Sequence, residues 1–159
     1  MEKRSYISIL KDTLEKKVSI LKDLLEVTLL QEKCISEDAY DSDEFEQAYS
    51  VKETLINQLN KLDEGFELIY EHVKEELSVN QIQYKEEILH LQGLIRQITE
   101  KSTQIQAIEM RNKSKIEAFF SHRKKQIKGY KVNSKRASSY YKNMADQHHG
   151  ESYFYDKKN

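Results

Sequence analysis

The chain has 159 residues and a formal net charge of −1, with 33% charged and 38% hydrophobic residues and neither proline nor tryptophan. That balance describes extended helices with narrow apolar seams, and it excludes a thick globular core or a partner selected by overall charge. The single cysteine, Cys34, excludes an intrachain disulfide and a multi-thiolate metal site, and it fits a reducing cytoplasm.

The first helix is expected over 5–35, with Ser5 as its N-cap. Its apolar positions Ile7, Leu10, Leu14, Val18, Leu21, Leu25 and Thr28 fall at helical spacing. Ile9, Ile20, Leu24, Leu29 and Leu30 widen the stripe beyond a two-stranded seam, which implies two neighbours and a three-helix bundle. Between Ser36 and Asp43 the periodicity stops and acids accumulate, as in a solvated connection ending at an Asp41 or Ser42 cap.

The second helix is expected over 43–77, through Phe45, Ala48, Lys52, Leu55, Leu59, Leu62, Phe66, Ile69 and Val73. Ser78 and Gln81 have capping-box spacing, so a turn is placed at Ser78 and a third helix over 79–129. Without that turn, the two helices would fuse into a rod ~130 Å long that needs a second chain, making a homodimer the competing arrangement. The third stripe runs through Ile88, Leu91, Ile95, Ile98, Ser102, Ile105, Ile108, Asn112, Ile116, Phe119, Arg123 and Ile127. The expected fold is all-α, three long helices in an elongated antiparallel bundle or coiled coil. Residues 131–159 form a Tyr- and Lys-rich tail, in which 137–145 has room for a short helix.

Few residues suggest chemistry. Glu87 and His90 are one helical turn apart, but a di-iron bundle needs two such pairs and two further glutamates. His148 and His149 lack a partner ligand at fixed spacing, and Cys34 has no base beside it in sequence. No Gly-rich phosphate loop occurs. The expectation is therefore no enzyme, no catalytic residue, no cofactor and no metal. No apolar run reaches the ~18 residues of a membrane span, and the N-terminus has no signal-peptide core, so a cytoplasmic protein without membrane insertion is expected.

Charge is unevenly spread. Seven acids and Lys52 occupy 37–53, while eight Lys and Arg and no acid occupy 122–142. The basic stretch, interleaved with Tyr130, Tyr140 and Tyr141, supports an alternative reading as a coiled-coil protein binding nucleic acid or acting as a scaffold. A solvated helix end, or a contact with the chain's own acids, explains it equally well.

Helix length singles out one region. A helix over 79–129 would be ~75 Å long, against ~50 Å for the second helix. The distal stripe, with Phe119, Phe120, Ile127 and Tyr130, is expected to outrun its partner and offer a groove for an amphipathic helix of a client protein.

The order of features resembles the FlgN family of flagellar export chaperones. The likeness rests on Leu29-Leu30-Gln31-Glu32-Lys33 ending the first helix, and on Lys52-Glu53 with Leu55, Leu59 and Leu62 on the second. It continues with Glu109-Met110-Arg111-Asn112 on the third and the terminus Tyr153-Phe154-Tyr155-Asp156-Lys157-Lys158. The resemblance implies a cytoplasmic chaperone that binds C-terminal helical segments of hook-filament junction proteins before flagellar type III export. It also implies a client surface on the distal third helix, at Ile105, Ile108, Ile116, Phe119, Phe120 and Ile127.

Overall fold

The computed structural model describes residues 3–36 and 39–121. Three α-helices make up the fold: α1 (Lys3–Lys33), α2 (Ser42–Val79) and α3 (Lys85–Ser121). α1 already runs through Ser5, so Ser5 is not its cap; the first turn is tied down by Lys3 Nζ donating to the His72 carbonyl at 2.8 Å. Asp41 caps α2, its Oδ1 accepting from the Glu44 amide at 3.1 Å, and Asp43 and Glu44 follow at the positive end of the helix dipole.

The break between α2 and α3 lies beyond Ser78. α2 continues to Val79, where the Asn80 amide donates to the Glu76 carbonyl at 2.9 Å, and residues 80–84 make the turn. Asn80 has φ −109° and ψ 46°, so it does not take the left-handed conformation; the buried Tyr84 ring anchors the start of α3 in the core. α2 and α3 are thus separate helices, and the fused rod on which the dimer arrangement rested is not formed.

Contacts at both ends fix the directions. Tyr6 stacks on His72 at 4.9 Å and Arg4 reaches Glu87 at 3.5 Å, while at the other end Arg111 Nε donates to Glu32 at 2.8 Å. α1 therefore runs antiparallel to α2 and parallel to α3. It packs along both, and α2 and α3 approach each other far less closely. α1 is the central element of the bundle.

The interior is divided. A long apolar cluster runs from Ile7, Leu77 and Tyr84 up to Leu24, Leu59 and Ile105. A smaller one, of Cys34, Ile35, Phe45, Ile116, Phe119 and Phe120 with Tyr40 packed against it, closes the distal end. Between them sit the buried polar residues Thr28, Gln31, Lys52 and Asn112. A second buried polar contact lies within the long cluster's span, where Lys17 Nζ donates to Asp63 at 2.7 Å.

Gly65 in α2 and Gly93 in α3 have open space where a Cβ would project, and neither serves a turn. Gly65→Ala and Gly93→Ala are each expected to stabilise the fold by about 0.5–1 kcal/mol, because alanine loses less backbone entropy in a helix. A higher urea midpoint is the readout, and a lower one would show hidden crowding at those sites.

Candidate protein-binding site

The cluster at the distal end of α3 is built from two helices and one connection. α3 brings Ile116, Phe119 and Phe120 to its inner face, and α2 contributes Phe45 from its first turn. The connection after α1 adds Cys34, Ile35 and Tyr40. An antiparallel bridge pairs Ile35 with Tyr40, supported by the Ser36 amide donating to the Ala39 carbonyl at 2.8 Å and the Asp41 amide to the Cys34 carbonyl at 2.9 Å. This folded connection turns the half-buried Tyr40 ring inward, with centroids 5.5 Å from the rings of Phe45, Phe119 and Phe120. Burial pushes the Tyr40 phenol up to about 12, so the ring stays neutral. The Cys34 thiol is raised by burial and then by Glu44 and Asp41, which makes it a poor nucleophile and a packing residue.

The length mismatch expected from sequence is absent up to Ser121. α2 has 38 residues and the described α3 has 37, so each spans ~56 Å. Phe119 and Phe120 are buried instead of lining an open groove, and so are Ile105, Ile108 and Ile116. The connection, read as solvated from its acids, supplies the missing cover. Its signal was the apolar pair Cys34-Ile35 and the aromatic Tyr40 on either side of the acidic stretch. Ile127, Tyr130, the basic 122–142 segment, His148, His149 and the 131–159 tail lie outside the described residues.

Below this end, the polar layer joins all three helices. Lys52 on α2 is 2% exposed; its ammonium donates to Gln31 Oε1 at 2.8 Å and pairs with Glu109. The Gln31 amide in turn donates to the Phe45 carbonyl at 3.2 Å, and Asn112 Nδ2 to the Thr28 carbonyl at 3.3 Å. Asn112 Oδ1 is buried without a hydrogen-bond partner. On the rim of the layer Arg111 grips Glu32 through two nitrogens, at 2.8 and 3.4 Å, with Lys115 at 3.7 Å. The Arg111 hydrogen bond holds the Glu32 carboxyl below its usual range. The polar residues set the register, since sliding α2 by one turn would leave the Lys52 charge buried and unpaired.

Burial pushes the Lys52 ammonium down to about 7. The Glu109 carboxylate opposes that shift, because an adjacent anion favours the charged form. A lysine with a depressed folded-state pKa binds fewer protons folded than unfolded between the two values, so stability rises with pH across that window. Relative to Lys52→Met, the wild type is expected to gain ~1–3 kcal/mol between pH 7 and pH 10. Urea titrations of both proteins across that range measure the difference, and a constant gap would show an unshifted lysine.

Other residues with chemical potential are engaged in structure. Glu87 pairs with Arg4, while His90 faces Glu15 at 3.4 Å. Among the described residues, no group of three or more His, Cys, Asp or Glu is placed to hold a metal ion, and no helix is long and apolar enough to cross a membrane.

Fold and site together define an all-α three-helix bundle whose distal aromatic cluster is shielded by its own interhelix connection. The family model described as FlgN protein matches residues 1–148, and the chain belongs to the FlgN family. This is a family of flagellar chaperones and not of enzymes, so the chain has a general flagellar chaperone role and a protein client. No curated protein and no solved structure matches the chain.

Proposed function

We propose that the protein is a cytoplasmic secretion chaperone that holds the amphipathic C-terminal helical segment of hook-filament junction proteins until flagellar type III export. The observation that carries this reading is the match to the FlgN family over residues 1–148. The client surface is the distal end of the α3 stripe, at Ile116, Phe119 and Phe120, with Ile127 and Tyr130 continuing it in sequence, while Ile105 and Ile108 belong to the buried interior of the bundle. Its chemistry suits the task, because a client helix that polymerises through an apolar face is kept apart by another apolar face of similar length. Aromatic residues give such a face large contact area with few rotors to immobilise.

Pull-down of the tagged protein from its native cell, followed by mass spectrometry, tests this reading. The expected catch is a secreted flagellar protein with a helical C-terminus, retained in high salt. Recovery of nucleic acid alone, or of no such protein, overturns it.

A further inference from the structure

Resting on that function, we propose that the described flanks of the α1–α2 connection, Cys34 with Ile35 and Ala39 with Tyr40, are a displaceable strap: they occupy the α3 face that the client helix takes, and the client binds by exchanging with them. Three observations lead there. First, the side chains that Cys34, Ile35 and Tyr40 lay on Ile116, Phe119 and Phe120 are apolar and aromatic, the same chemistry that an amphipathic client helix presents. The strap thus stands in for the client and keeps the face from water.

Second, the strap is folded on itself. The Ser36 amide and hydroxyl bond to Ala39 and the Asp41 amide to Cys34 within the connection, while the Cys34 and Ile35 amides and the Cys34 thiol bond to the last turn of α1; none of these bonds reaches α3. Tyr40 meets α3 through ring contacts, which are lost and remade without stranding a buried backbone group.

Third, the distal cluster is set off from the rest of the core by the Gln31, Lys52, Glu109 and Asn112 layer. Opening above that layer leaves the long cluster intact, so the distal end forms a unit of low local stability. The orphaned Asn112 Oδ1 marks the same boundary, as a buried acceptor that the closed bundle leaves unmet.

Ala39 and Ser121 are exposed and adjoin Tyr40 and Phe120 in sequence, so cysteines there can bridge strap and helix without altering the face. The test uses the full chain carrying C34S, A39C and S121C, with and without a short bismaleimide bridge. The probe is a synthetic peptide of the C-terminal helical segment of a hook-filament junction protein from the same cell. The unbridged variant is the reference, and bridging is expected to weaken its binding at least tenfold. Y40A, with its strap loosened, is expected to bind several-fold more tightly, because a larger fraction of molecules is already open. In the free wild type, amides of 113–121 are expected to exchange faster than those of 91–105. Equal binding with and without the bridge overturns the strap alone. Absence of binding by the wild type overturns the proposed function and the strap with it.

Discussion

An Ile98→Asp substitution is expected to unfold the whole bundle, whereas Ile116→Asp is expected to open only its distal end. Both side chains are fully buried, so the local chemistry of the two changes is the same. Burying an unpaired carboxylate costs ~4 kcal/mol or more, a large share of the ~5–15 kcal/mol that holds a domain folded. At Ile98 the charge falls in the long cluster shared by all three helices, and relief requires global unfolding. At Ile116 it falls beyond the polar layer, in a cluster closed by the strap and the first turn of α2. The cost there is limited to that of opening the distal unit. Circular dichroism should show a near-complete loss of helix for Ile98→Asp. For Ile116→Asp it should show a small loss, with the main thermal transition retained. A similar collapse of both would mean that the two clusters melt as one, which would also remove the basis for a separately opening strap.

The second large effect concerns the Lys17–Asp63 pair, whose side chains are 3% and 10% exposed. Removing one partner leaves the other charge buried alone, so Lys17→Met is expected to cost ~3–5 kcal/mol. Asp63→Leu in the same background should recover most of that loss or exceed the wild type by ~1 kcal/mol, since a buried ion pair repays little of its own desolvation. A double-mutant cycle in urea measures the coupling. Additive single effects, with no recovery in the double variant, would show that the pair is hydrated and that its burial matters little. Its role in the fold is then one of alignment. Lys17 and Asp63 meet only when α1 and α2 pair in this register, as Lys52, Gln31 and Glu109 do higher up.

Most of the helical frame was readable because a helix writes its buried face every three to four residues. The α3 stripe read from Ile88 to Phe119 is buried throughout, including the polar Ser102 and Asn112 that keep its phase. On α1 the reading drifted. Lys17 and Gln31 face the core unread, whereas Val18 and Leu25 are only partly buried and Leu29 and Leu30 are exposed. Hydrophobicity marked the wrong neighbours there because the inward lysine and glutamine are stabilised by partners on other helices. The turn after α2 was displaced as well: the chain reverses over 80–84, ending at the buried Tyr84 ring, and not at a Ser78 cap.

At the distal end, sequence identified the residues and misjudged their surroundings. Ile116, Phe119 and Phe120 stood out by spacing and size, but what covers them comes from residues about eighty positions earlier. By itself the sequence determined the all-α class, the three helices, a cap at Asp41 or Ser42 and, through its likeness to the FlgN family, the chaperone role, because helix periodicity, capping and family pattern are all written locally. Only the tertiary structure decided that α1 is the central helix, that Lys17 turns inward, that Lys17 and Lys52 meet carboxylates on other helices, and that Tyr40 closes the distal cluster. Those features depend on the free energy of groups far apart in the chain, and a buried charge or an inward ring is stable only once its partner is in place.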